Sequence, residues 1–270
     1  MNKIILIILF VYSLISAVSV LALTRDEEIF IHGNIEFIVF HELAHILIND
    51  LEIPVFGPEE LAADYLATIA VINPLDINVA NAERARQYLS AVAKGFSTTW
   101  ELNEPQINQL PFWDNHGLTM QRYYNIGCLL YGSNPDIFPR IPGLIGIPEK
   151  RSSQCVQEFA KAQKSAMWLL DNYGKKDSHN ETSIQINYGL PETEISRQVQ
   201  LSIRDSSLIE NIVSRFNSRF SLEAKIDIKL MGCQARQAVW NSASRELVIC
   251  HELFDYFYSL ARISGSHNLN

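Results

Sequence analysis

The segment from residue 40 to residue 66 constrains the fold of this chain more than any other part of it. It reads FHELAHILINDLEIPVFGPEELAADYL. Apolar residues recur with a helical period over residues 34 to 49, which predicts a helix. A break between Pro54 and Pro58 ends this pattern, and acidic residues then begin a second helical run over residues 59 to 71. The sequence therefore predicts two successive helices that fold back against each other.

The first of these helices contains the pattern H-E-x-x-H. His41 and His45 lie one turn apart on one helical face, so both imidazoles can reach a single ion. Glu42 lies about 100° round the helix from His41, where it can take a proton from a water that the metal activates. The alternative is an amphipathic helix with two hydrogen-bonded histidines and no metal.

The second helix offers a third ligand, which a catalytic zinc requires while its fourth position stays open. Glu60 and Asp64 are four residues apart and share one helical face. Glu60 has the longer reach, so we expect zinc to be bound by His41, His45 and Glu60. Asp64 is expected to accept a hydrogen bond from the far ring nitrogen of one histidine. Glu59 is predicted to point away, as a solvated charge at the helix start.

These motifs carry a resemblance to known proteins. The segments FHELAHILINDLEIPVFGPEELAADYLAT and FWDNHGLTMQRYYNIGCLLYGSNP resemble a bacterial metallopeptidase family of unknown function. The likeness continues through CVQEFAKAQ and GCQARQAVWNSASRELVICHEL, and so covers most of the chain. More distantly, the chain is similar to gluzincins, in which the H-E-x-x-H helix is followed by E-x-x-x-D; Glu60 and Asp64 match that second motif.

The resemblance implies a mainly helical α+β fold of the zincin type and the hydrolysis of peptide bonds in a peptide or protein substrate. Zincin folds set a small sheet beside the metal-binding helix, and the alternating stretches that predict strands, residues 224 to 231 and 245 to 250, lie near the C-terminus. We therefore expect the C-terminal segment to pack back and supply that sheet. A further helix is predicted just before these stretches, over residues 205 to 219.

The segment DNHGLTMQRYYN supplies further candidates for the site. His116 precedes a predicted helix, and Arg122 or Tyr123 lies within it. Any of the three can donate a hydrogen bond to the oxyanion that forms when water attacks a carbonyl group. Alternatively, Gln121, Arg122 and Asn125 only brace the metal-binding helix. His116 is thus a second catalytic candidate beside Glu42, and Arg122 a supporting residue.

The N-terminus is typical of an exported protein. An apolar run from Ile4 to Leu23 follows a single lysine and includes small residues near its end, as in a signal peptide. Its length also fits an uncleaved membrane anchor. We therefore treat residues 1 to 22 as a leader and expect a periplasmic or secreted protein that contacts a membrane only if this leader is retained. Residues 23 to 270 are expected to form one domain, with a possible boundary in the polar segment 174 to 192.

Four cysteines follow the leader, namely Cys128, Cys155, Cys233 and Cys250. No pair has C-x-x-C spacing, and disulfides are the expected state of an even number of cysteines in an exported chain. Of the three possible connectivities, we favour Cys128 with Cys155 and Cys233 with Cys250, which close the shorter loops. The alternative is four buried thiols in a reducing compartment.

Composition narrows the functional classes. With 270 residues, of which 47% are hydrophobic, the chain can fill a core. A net charge of −8 gives no general attraction for phosphate backbones, so nucleic acid is not an expected partner. The leading hypothesis is a zinc metallopeptidase. The alternative is an exported, zinc-stabilised binding or envelope protein without turnover, and Glu42 argues against it because a structural zinc site needs no base.

Overall fold

The first two thirds of the chain are helical. The structure is a computed structural model, and it describes residues 22–73, 78–103, 105–176 and 183–266. The helices of this part are α1 (Arg25–Asp50), α2 (Glu59–Ile72), α3 (Val79–Asn103), α4 (Thr119–Ser133), the one-turn α5 (Ile141–Leu144) and α6 (Glu149–Tyr173). A short 3-10 turn, Ile107–Gln109, precedes α4.

The C-terminal third adds a small sheet and three helices. Its elements are β1 (Ile184–Tyr188), α7 (Glu194–Asp205), α8 (Leu208–Asn217), β2 (Ile226–Met231), β3 (Ala238–Asn241), β4 (Glu246–Cys250) and α9 (His251–Ser266). The predicted fold class, mainly helical α+β, is confirmed.

Helix α1 lies at the centre of the fold. Its N-terminus is closed by a capping box in which the Glu27 backbone N–H donates to Thr24 Oγ1 and the Thr24 N–H donates to the Glu27 carboxylate. It packs against α2, α3, α9 and β3, and residues around its whole circumference are buried, as expected for a helix enclosed by other elements. Helix α2 begins directly after the predicted break at Pro58 and packs against α1.

The sheet lies beside α1, as we expected of the C-terminal segment. Its strand order is β1-β2-β4-β3; β1, β2 and β4 are parallel, and β3 runs antiparallel at one edge. Ile226, Ile228 and Leu230 of β2 are fully buried at alternate positions. At the β3 edge, the backbone N–H of Trp240 donates to Glu42 Oε2 of α1 at 2.9 Å. The edge strand thus contacts the predicted catalytic base.

One local prediction is wrong. The single helix predicted over residues 205 to 219 is the end of α7 followed by α8, because the chain turns at Ser207, which has a left-handed φ of 52°. Strand β1 lies within the polar segment 174 to 192 and was not predicted. Its Ile184, Ile186 and Tyr188 alternate with polar residues, and pairing with the buried strand β2 stabilises them as a strand.

Two disulfides connect different elements of the fold. Cys128 of α4 is bonded to Cys155 of α6, and Cys233, which precedes β3, is bonded to Cys250 at the end of β4. These are the two pairs with the shorter loops. The predicted leader lies outside the described residues except for its last residue, and none of the described helices has both the length and the hydropathy that crossing a membrane requires.

Candidate metal centre

Three ligand atoms converge where α1 faces the start of α2. His41 Nε2 lies 3.0 Å from Glu60 Oε2 and 3.2 Å from His45 Nε2, and His45 Nε2 lies 3.4 Å from the same Glu60 oxygen. The three residues form a cluster whose ligand atoms all lie within 4.8 Å of one another. Two imidazole nitrogens and one carboxylate oxygen are a donor set that suits a catalytic zinc ion. The residues therefore fit such an ion.

His41 is oriented by a carboxylate that is itself held by an arginine. Asp64 Oδ1 lies 2.9 Å from His41 Nδ1, and both residues are buried. Arg122 of α4 donates from Nε and Nη2 to the two Asp64 oxygens, each at 2.7 Å, and its guanidinium lies over the Phe96 ring. An acceptor at Nδ1 leaves Nε2 free to bind a metal. Arg122 thus acts on His41 through Asp64.

His45 has its own carboxylate partner, which was not predicted. Glu59 Oε1 lies 2.6 Å from His45 Nδ1 and also accepts a hydrogen bond from Asn49 Nδ2 at 3.2 Å. The prediction that Glu59 points to solvent is wrong because α2 begins directly over the last turns of α1. The need of the second histidine for a partner at Nδ1 is the signal that would have identified Glu59.

Glu42 lies outside the cluster of ligand atoms and faces the sheet. Its Oε2 accepts the hydrogen bond from the backbone N–H of Trp240. Burial raises the pKa of the Glu42 carboxyl above its ordinary value. A carboxylate with a raised pKa is a stronger base than that of an exposed glutamate.

His116 lies on the other side of Glu60, in the loop before α4. Its Nε2 is 3.2 Å from Glu60 Oε2, and its Nδ1 is 3.0 Å from Asp114 Oδ1. The ring is half-exposed and lines an open groove with Pro58, Leu61 and Gln121. Asp114 is a further residue that sequence reasoning did not identify, although its spacing of two residues from His116 could have suggested the pair.

Tyr123 faces away from the cluster. Its hydroxyl group donates to the backbone carbonyl of Ile145 at 3.1 Å. Of the three oxyanion candidates, His116 therefore contacts a proposed metal ligand, Glu60, directly. Arg122 contacts Asp64 instead.

The contacts within the cluster shift its protonation equilibria. Burial alone would lower the pKa of His45, but its hydrogen bonds to Glu60 and Glu59 outweigh burial and raise this pKa to about 9. The pKa of His41 is raised too, because its contacts with Asp64 and Glu60 outweigh burial. Hydrogen bonds from His41 and His45 lower the pKa of Glu60. Without a metal, these shifts favour protonated histidines that face ionised carboxylates, and an incoming cation has to displace any proton held on a ligand nitrogen.

A second group of candidate ligands, Cys233, Cys250 and Glu252, does not form a comparable site. The two cysteines are joined to each other, and the Glu252 carboxylate accepts hydrogen bonds from the backbone N–H groups of Cys233 and Gln234. His251, beside Cys250, pairs with Gln200 at 2.9 Å. The sequence CHELF thus forms a strand end and a helix start.

Comparison with known proteins identifies the family to which this chain belongs. The model of the family DUF4344, described as "Putative metallopeptidase", matches residues 9–170 and 188–268. The matched segments include both helices that provide the ligand cluster and the strands β2, β3 and β4 beside them. No curated protein and no solved structure is similar enough to this chain to match it.

Proposed function

Because this chain belongs to the family described as "Putative metallopeptidase", we propose that it is a zinc-dependent peptidase that hydrolyses peptide bonds in peptides or proteins. His41, His45 and Glu60 would bind the zinc ion. The observation that carries this proposal is the convergence of their three ligand atoms within 4.8 Å of one another. The carboxylates at both Nδ1 atoms support it, because they direct each Nε2 toward a common ion.

The ion, when bound, supplies Lewis acidity that polarises a carbonyl group and acidifies water. Glu42 takes a proton from the attacking water and passes it to the leaving amine, so that the carboxylate is regenerated in each cycle. The hydrogen bond from the Trp240 N–H holds the Glu42 carboxylate in place during both transfers. The raised pKa of Glu42 favours the first transfer, because burial makes its carboxylate a stronger base than that of an exposed glutamate.

His116 is assigned to the carbonyl oxygen of the substrate. The ring borders both Glu60 and the open groove, and Asp114 accepts a hydrogen bond at Nδ1. When both ring nitrogens carry a proton, Nδ1 donates to Asp114 and Nε2 can donate to the negative charge that develops on that oxygen. Arg122 is a positioning residue, since it acts on His41 through Asp64.

The proposal includes an exported protein with one catalytic domain, residues 23 to 270. Two disulfides support an oxidising compartment, which is the periplasm or the exterior of the cell. Support for one domain comes from a single cluster of buried side chains that extends from α1 through the sheet to α9.

The Glu42→Gln substitution tests the proposal. This change keeps the size and the acceptor oxygen of the side chain but removes the base, so we expect turnover of a fluorogenic peptide library to fall about 100-fold or more while bound zinc is unchanged. The matched control is Glu223→Gln, an exposed carboxylate, which should retain parental turnover. Full activity of Glu42→Gln would refute the role of Glu42. A zinc-loaded parent that cleaves no peptide would favour the binding or envelope protein without turnover.

A further inference from the structure

A cavity of about 150 Å³ lies on a face of α1 other than the one that carries the metal ligands. Phe40, Leu43, Ala44 and Leu47 of α1 form one wall, and residues of α2, α6 and α8 supply most of the remaining lining of this cavity, which is partly open to solvent. Most of this lining is aliphatic or aromatic. In another protein, an apolar cavity of about this volume stays dry and binds a molecule of about six carbons.

One end of the cavity is polar and positively charged. Arg215 of α8 reaches it, and its Nη1 donates to Glu36 Oε1 at 2.7 Å. Glu36 is only 2% exposed, and its other carboxylate oxygen accepts from Arg84 Nη1 at 2.6 Å. Two guanidinium groups therefore share one carboxylate, which leaves a surplus positive charge at this end.

Arg219 adds a second surplus charge beside the first. This half-buried side chain lines the cavity, and its Nη2 donates to Asn73 Oδ1 at 3.3 Å. Within the described part of the chain, no carboxylate oxygen lies within 4.0 Å of its guanidinium nitrogens. Burial lowers the pKa of Arg215, and the charges of Arg84 and Arg219 lower it further, as expected where positive groups outnumber negative ones. Within the described residues, the neutral amide of Asn73 is thus the one side chain that accepts a hydrogen bond from the Arg219 guanidinium.

We propose that this cavity binds a small amphiphilic monocarboxylate, with an aliphatic tail in the apolar part and its carboxylate on Arg219. Both ends of the cavity select for this chemistry. The apolar walls favour a tail of about six carbons by the volume comparison above. The planar guanidinium group of Arg219 matches a carboxylate with two parallel hydrogen bonds, and a single negative charge offsets the surplus. This site is separate from the metal centre and does not depend on peptidase activity.

Binding in this cavity should raise the thermal stability of the protein, because the ligand contacts the central helix α1. Phe40 and Ala44 directly precede His41 and His45 in the chain, so a molecule in the cavity contacts the metal-binding helix from behind. A ligand that binds the folded chain and not the unfolded chain raises the melting temperature with its concentration.

The test is calorimetric titration of the purified protein with octanoate, 1-octanol and butyrate. We expect octanoate to bind one to one, and to bind at least tenfold more tightly than octanol, which lacks the charge, and butyrate, which lacks most of the tail. The Arg219→Gln variant should lose about tenfold in octanoate affinity. Ala166→Leu, which places a larger side chain on the lining, should abolish binding.

Arg140→Gln is the matched control, since Arg140 is exposed and does not line the cavity. It should bind octanoate like the parent. Circular dichroism and melting temperatures establish that each variant is folded; Arg219→Gln alters a half-buried surface residue and carries the test if Ala166→Leu does not fold. The proposal is overturned if octanoate binding does not saturate, if octanol binds as tightly as octanoate, or if Arg219→Gln binds like the parent.

Discussion

At the scale of single residues, the main feature of the site is that each histidine of the ligand pair has its own carboxylate. Asp64 could be predicted from the sequence because its spacing from Glu60 is one helical turn. Glu59 could not be assigned in the same way, because adjacent residues on a helix point in different directions. Only the way α2 crosses the end of α1 brings Glu59 to His45 Nδ1.

This arrangement predicts that Glu59 supports metal binding. The Glu59→Ala change removes the acceptor at His45 Nδ1, so the ring loses its fixed orientation, and we expect zinc affinity to fall about 10- to 100-fold. Competition with a chromophoric chelator measures this change. Glu223→Ala removes the same charge from an exposed position and should leave the affinity as it is. Equal affinities for Glu59→Ala and the parent would show that Glu59 does not orient His45.

The raised pKa of His45 predicts how metal binding depends on pH. Zinc binds the unprotonated ring, and the metal-free protein holds a proton on His45 up to a pKa of about 9. Apparent zinc affinity should therefore rise as the pH increases from 6.5 to 9 and then level off. The stability of the metal-free protein should change in the opposite direction: the contribution of protonated His45 is complete below pH 6.5 and is lost as the pH rises through about 9.

Chelator competition and denaturant unfolding of the metal-free protein, each at several pH values, measure these two trends. A zinc affinity that is already constant above pH 7 would contradict the prediction, because it would mean that the carboxylates do not hold a proton on His45.

At the scale of elements, the edge strand β3 connects the sheet to Glu42, the proposed catalytic base. Its four residues, Ala238–Asn241, pair with β4 on one side only, and Trp240 donates to Glu42 on the other. The Cys233–Cys250 disulfide ties the segment before β3 to the end of β4. Strand β3 was not predicted. It has only four residues and pairs with a single strand, β4, so its alternation of apolar and polar residues is too short to identify a strand.

Removal of this disulfide should therefore affect both stability and turnover. For a closed loop with a sequence separation of 17 residues, we expect the Cys233→Ala/Cys250→Ala variant to lose about 3 kcal/mol in the free energy of unfolding. Its turnover should fall by more than its zinc content, because β3 no longer holds Glu42 firmly. Denaturant unfolding, peptide hydrolysis and metal analysis of the folded variant measure these effects.

The Cys128→Ala/Cys155→Ala variant is the matched control. This pair joins α4 to α6 with a separation of 27 residues, so its removal should cost a similar free energy of unfolding while turnover of the folded protein stays near the parental value. Equal losses of turnover in the two variants would show that the effect arises from general destabilisation and not from β3.

At the scale of the whole molecule, the fold class and the position of the sheet were predictable, whereas its topology was not. The helical period of α1 and the break at Pro58 are local signals, and they identified the helix pair correctly. The parallel pairing of β1, β2 and β4 joins residues that are distant in the chain, so no local pattern predicts it. The polar-flanked strand β1 forms through such contacts and was missed. Helix α7 was missed too, although the cap at Thr193 is a local signal for its start.

The central claim is that α1 and α2 together bind a catalytic zinc ion through His41, His45 and Glu60. Elemental analysis of the purified protein beside its Glu60→Ala variant, at equal protein concentration, tests this claim most directly. We expect about one zinc ion per chain in the parent and a sharp decrease in the variant, because two histidines alone form an incomplete site. A folded parent without zinc, or a Glu60→Ala variant with the full zinc content of the parent, would contradict the three-ligand site.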